Sequence, residues 1–140
     1  MNFSWSNNTI QSMSLIDVKD NYRYITEEFC KQYYNLYNSD FLQLANMFHK
    51  DCYITFLGEE MVGFNHYAEK LRQLNIYKFV HKTMQVSSQP VGQRTLLINV
   101  AGRIAVNYSI EDYRYSESIL LQKDSNNKFY IHNIIFKLIE

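Results

Sequence analysis

At 140 residues the chain has the size of one domain and can bury a core without disulfide or metal staples. Lysine plus arginine and aspartate plus glutamate both total 14 and are interspersed, so no excess of positive charge draws in nucleic acid or an anionic membrane. Two cysteines without a CxxC pair, a polar N-terminus and no apolar run near the ~20 residues of a bilayer span point to a reduced, soluble intracellular setting.

The first 17 residues, rich in asparagine and serine, read as a flexible arm ahead of a folded domain over 18–140. From there the pattern is helical. Ile25, Phe29, Tyr33, Leu36 and Tyr37 fall on one face, with Glu27, Glu28, Lys31 and Gln32 between them toward solvent. Asn38-Ser39-Asp40 closes this helix and opens a short second one with Phe41, Leu44, Ala45 and Phe48. A strand is expected over 53–56, and Gly58 and Gly63 bracket a turn and return. Asn65 then caps a third helix whose inner face holds Tyr67, Leu71 and Leu74. Beyond it the period becomes two, with strands expected over 78–88, 95–106, 113–123 and 128–139. Leu96, Ile98 and Val100 share one side of the second of these, and Tyr115, Ile119 and Leu121 one side of the third. A polar Asp-Ser-Asn-Asn stretch at 124–127 is the hairpin connection. Twelve tyrosines and nine phenylalanines beside four glycines and one proline suit long, continuous strands. The class is α+β, with helices on one face of an antiparallel meander.

No glycine-rich phosphate loop, HExxH or carboxylate cluster with metal-ligand spacing occurs, so neither a cofactor nor a metal is expected. Of the four histidines, His132 falls by strand alternation on the side of Tyr130 and Phe136, where it would act as a general base if the sheet closed a reactive pocket. No acid sits at an orienting position. The inward strand positions read as Phe, Ile, Leu and Tyr, so the pocket is expected to be apolar and His132 structural.

The run Glu28-Phe29-Cys30-Lys31-Gln32-Tyr33-Tyr34-Asn35-Leu36-Tyr37 resembles the opening helix of the nuclear transport factor 2 family. Tyr53-Ile54-Thr55-Phe56, followed by Gly58 and Gly63, is similar to that family's strand ending in leucine-threonine-tryptophan. Glu69-Lys70-Leu71 through Leu74, then His81, resemble its third helix and the histidine beyond it. Gln89-Pro90, Val100-Ala101-Gly102 and the closing stretch from Phe129 to Lys137 continue the likeness. It runs over about 22–138.

The resemblance implies a cone-shaped, curled antiparallel sheet covered by three helices, dimeric through the sheet, with no reaction of its own. It implies an adaptor that binds the GDP form of the small GTPase Ran and the Phe-Gly repeats of nucleoporins, moving between cytoplasm and nucleus through the nuclear pore. The family's Ran pocket accepts a phenylalanine side chain. Phe56, at the tryptophan position, and Phe136, at a phenylalanine position, would wall it. Leu57 and Asn107 stand where the family places rim acids, which leaves Glu111 and Asp112, slightly later in the loop, as the candidate acidic rim. Tyr22 stands at the family's exposed tryptophan for nucleoporin repeats. Two alternatives remain open. One is the small cofactor that pairs with a larger mRNA-export receptor, favoured by the long arm and the missing rim acids. The other is a cone-fold dehydratase or isomerase, which would need His132 and a carboxylate to converge.

Overall fold

The computed structural model describes residues 17–140. Apart from Asp17, the arm expected over residues 1–17 lies outside the described residues. Helix α1 spans Val18–Ser39 and starts where the Asp17 carboxylate accepts the Lys19 N–H at 2.8 Å. Its expected stripe is buried, and Cys30 and Tyr34 widen it. Phe29 and Tyr33 are completely inaccessible, each worth about 1.5–3 kcal/mol of burial. The Asp40 N–H donates to the Leu36 carbonyl and ends the helix.

A 3₁₀ helix, Phe41–Met47, follows and buries Leu44 and Met47. Phe48 does not belong to it. Phe48 opens strand β1 (Phe48–Phe56), where it faces Ile131. A tight turn at Leu57-Gly58, both with positive φ, leads into β2 (Glu59–Val62). Helix α2 runs from Phe64 to Gln73 with Gly63 at its N-cap and no side-chain cap. Asn65 therefore lies inside the first turn rather than capping it. Leu74, expected on the inner face, is instead the C-cap and is exposed.

The remaining strands are β3 (Phe79–Pro90), β4 (Thr95–Val106), β5 (Tyr113–Lys123) and β6 (Phe129–Ile139). The sheet order is β2-β1-β6-β5-β4-β3. The described residues form an α+β fold of three helices and a six-stranded sheet. The sheet is mixed rather than wholly antiparallel. Strand β6 returns by hairpin against β5 and inserts beside β1, and the β1–β6 pair is parallel.

The helices cover one face of the sheet. Leu96, Ile98 and Val100 on β4 are fully buried beneath them, as are Tyr115, Ile119 and Leu121 on β5. On β6 the alternation breaks once. Leu121 pairs with Ile131 and Leu120 with Asn133, so His132 is an extra residue. Phe129 and Ile131 point inward before this bulge, and Ile134 and Phe136 after it. The expectation that His132 shares a side with Phe136 fails for this reason.

Candidate functional site

The C-terminal end of α1, the 3₁₀ helix, α2 and the segment leading into β3 enclose a cleft of about 620 Å³. Tyr37, Phe41, Leu71, Ile76 and Phe79 make its apolar wall. The aromatic period of α1 places Tyr37 there, and the 3₁₀ turn brings Phe41 alongside with ring centres 5.4 Å apart. Glu69 and Arg72, also lining the cleft, neutralise each other at 2.5 Å. The Lys78 ammonium donates to the Asn38 carbonyl.

Phe56 and Phe136, expected to wall a pocket, do not line this cleft. They face each other in the parallel β1–β6 register and stack at 5.2 Å. Both are buried and lie one ring behind the cleft, since Tyr67 packs on Phe56 at 5.3 Å and on Phe41 at 5.8 Å. The two candidate rim acids differ. Asp112 bridges Arg103 at 2.5 Å and Lys82 at 3.7 Å, and the guanidinium holds its carboxyl below the usual aspartate range. Glu111 is exposed and has no ion pair among the described residues. Tyr22 is half-buried in a separate groove between α1 and β3, with Thr26, Cys30, Val86 and Ser88. There the Thr26 hydroxyl donates to the Tyr22 carbonyl and meets the Ser88 hydroxyl, both at 2.7 Å.

Behind the ring stack the interior is not purely apolar. Glu117 on β5 is 1% exposed and accepts the Tyr34 hydroxyl at 2.6 Å and the Tyr33 hydroxyl at 3.0 Å. Burial pushes its carboxyl up to about 7, while the two phenols pull it back. Burial, and then the nearby Glu117, push both phenols well above the ordinary tyrosine value. The Tyr115 hydroxyl approaches that of Tyr34 without reaching hydrogen-bonding geometry. His81 sits between Tyr34, Tyr37 and Tyr115. Asn38 Oδ1 accepts from both its backbone N–H and its Nδ1, which leaves the buried Nε2 unprotonated and without a partner among the described residues. Burial pushes this imidazole down to about 3. The Tyr37 and Tyr67 hydroxyls are hydrogen-bonded to each other.

This buried polar cluster corrects the expectation that the inward strand positions are all Phe, Ile, Leu and Tyr, since Glu117 is among them. A signal for it was present. Tyr115, Ile119 and Leu121 share a face at period two, and Glu117 falls on the same face. What the spacing did not carry is that two tyrosines from α1 would meet it. His132, by contrast, forms no ion pair with a carboxylate among the described residues, and Asp124 acts on it only through its charge. Its ring stacks on His49 at 4.4 Å, and burial followed by the neighbouring His49 lowers its pKa. Among the described residues no group of three or more His, Cys, Asp or Glu side chains could hold a metal ion, and no helix is long and apolar enough to cross a membrane.

The model of the nuclear transport factor 2 domain family matches residues 25–138. Nuclear transport factor 2 of Candida albicans is 31% identical, with 81% of this chain and 92% of that protein covered. Nuclear transport factor 2 of Neurospora crassa is 29% identical, over 82% and 93%. Among solved structures, nuclear transport factor 2 from Cryptosporidium parvum shares the fold with a TM-score of 0.75 at 19% identity, covering 85% of this chain and 95% of that one. The cleft, the paired Phe56 and Phe136 and the mixed curled sheet are thus features of a chain that belongs to the nuclear transport factor 2 domain family.

Proposed function

We propose that this chain is a non-enzymatic carrier of nucleocytoplasmic transport, binding Ran in its GDP form and the Phe-Gly repeats of nucleoporins. The observation that carries the reading is the apolar cleft between α1 and α2 in a chain of this family. An aromatic side chain entering it would meet rings on several sides and bury area worth ~25 cal/mol per Å². Phe56 and Phe136 stiffen that wall from behind. Glu111 is the carboxylate left to meet a lysine or arginine beside the inserted ring. Tyr22 is the proposed seat of a repeat phenylalanine. The outer face of the sheet, with Leu97 and Ile135 both exposed, is the proposed dimer surface. Such a carrier would work in both cytoplasm and nucleus.

The interior acid and imidazole argue against a cone-fold enzyme. Glu117 and His81 are buried, and neither lines the cleft or the Tyr22 groove. The immobilised protein should capture Ran loaded with GDP and not Ran loaded with a GTP analogue. Ala68→Arg, which plants a charged chain in the cleft, should abolish capture while shifting Tm by less than about 4 °C. No capture in either nucleotide state would overturn the reading. A chain that gains stability only when a larger receptor with a similar domain is added would support the export-cofactor alternative instead.

A further inference from the structure

The seam between β1 and β6 differs from the rest of the sheet. Among the described residues every other strand pair is antiparallel, whereas this one is parallel and joins the β2-β1 pair to the remaining four strands. Parallel pairing is slightly weaker per residue. The seam is also interrupted. Phe48 pairs with Ile131 and the register resumes at Tyr53 with Asn133, so residues 49–52 on β1 face the single residue His132 on β6. From Tyr53 the ladder runs on to Phe56 and Phe136, the ring pair behind the cleft.

Where the ladder is missing, two imidazoles span the seam. His49 and His132 stack with ring centres 4.4 Å apart and planes 23° from parallel. Both are half-buried. Each ring has a reason to stay neutral. His49 Nδ1 accepts the Asp51 N–H at 3.1 Å, and a proton on that nitrogen would break the bond. His132 Nε2 is buried with no hydrogen-bond partner among the described residues, so a proton there would have no acceptor. With both rings charged, two cations would face each other at stacking distance.

The charged groups around the pair do not neutralise a second proton. The Asp124 charge favours a proton on His132, and His49 opposes it. Asp124 Oδ1 already accepts the N–H groups of Asn126 and Lys128. Lys50 and Asp51, beside His49 on β1, are exposed and of opposite sign. On β5 the Lys123 ammonium lies over the Phe129 ring. The 3₁₀ helix, which packs on both strands, holds no titratable side chain. On α2 and β2, Glu69 pairs with Arg72 and Glu59 with Lys70, while Glu60 and His66 are exposed.

We propose that His49 and His132 form a pH-sensitive latch on the β1–β6 seam, closed while at least one ring is neutral and opened when both take up a proton, which frees the strand ends carrying Phe56 and Phe136. Burial, and then His49, hold the His132 imidazole below its ordinary value of 6.5. Its contribution to stability is therefore present above pH 6.5 and lost as pH falls below that. The latch stands apart from the carrier reading, and testing it needs neither Ran nor a nucleoporin.

Hydrogen exchange of the whole chain at about pH 7 and about pH 5, corrected for the intrinsic effect of pH on exchange, reads the seam directly. The amides that bond across the seam over 53–57 and 133–136 should lose about tenfold in protection at the lower pH. Those of β4 over Leu96–Val100 should hold theirs within about twofold. They are the control for Glu117 and His81, which lie on the strands flanking β4. His132→Phe keeps a stacking ring and removes the buried unpartnered nitrogen. His49→Gln keeps an acceptor for the Asp51 N–H. Each leaves one imidazole, so in either variant seam protection should agree at the two pH values within about twofold. If one variant does not fold, the other decides, because the latch requires both rings. No loss in the wild type, a loss that persists in His132→Phe or in His49→Gln, or an equal loss across β4 would each overturn the latch.

Discussion

Glu117→Ala is expected to lose about 4 kcal/mol of folding stability, a large share of the margin of a domain this size. The substitution strands the hydroxyls of Tyr33 and Tyr34, both buried, and leaves a hole beneath α1. Glu117→Gln keeps the volume and an acceptor and should behave quite differently. An ordinary glutamate value of 4.5 becomes about 7 in the folded interior. The preference of the fold for the neutral acid is therefore fully present below about pH 4.5 and lost as pH rises through about 7. At roughly 1.4 kcal/mol per pH unit, that is about 3 kcal/mol. His81 works in the opposite sense. Burial takes it from 6.5 to about 3, so its contribution is present above pH 6.5 and declines as pH falls below that. Glu117→Gln removes only the first dependence. Thermal melts should find it close to wild type at pH 5 and higher by at least about 5 °C at pH 8. A difference that is the same at both pH values would show that the carboxylate is not desolvated in the fold.

Gly102→Ala should cost about 3 kcal/mol, read as a lower urea midpoint with unchanged slope. On β3, Thr83 and Met84 together face Gly102, because Lys82 pairs with Arg103 and Gln85 with Ala101. An added Cβ would lie 2.8 Å from the Lys82 carbonyl oxygen and 3.2 Å from both the Met84 Cα and the Thr83 oxygen. These are backbone atoms, so no side chain can rotate away. The strand would have to give up its bulge, where Thr83 already sits at φ 46°. Gly58 is the control. Its Cβ would meet nothing within 4 Å, so alanine there should cost only about 1 kcal/mol, from the left-handed φ. Equal losses at the two glycines would contradict the close approach of β3 and β4.

Much of this was legible along the chain. The helical spacing of Ile25, Phe29, Tyr33, Leu36 and Tyr37 needs only a partner surface, and all five are buried. The period-two runs through Leu96–Val100 and Tyr115–Leu121 predicted the inward face of β4 and β5. Other features carried no local signal. A bulge adds one residue to a strand that reads as continuous, so the inward phase of β6 changes at His132 unannounced. Asn107 reads as a lost rim acid, yet it is a clamp whose three partners lie about 30 positions away.

By itself the sequence determined the α+β class, the apolar stripe of α1, the inward faces of β4 and β5 and the family, because each follows from periodicity or ordered motifs within single segments. Only the tertiary structure decided that β6 lies parallel to β1, that Glu117 is solvated by two phenols instead of water, and that Asp112 turns to Arg103 while Glu111 forms no ion pair among the described residues. The physical reason is common to all three. A pairing partner, a dielectric and a counter-charge are supplied by other segments, and they exist only once those segments have packed together.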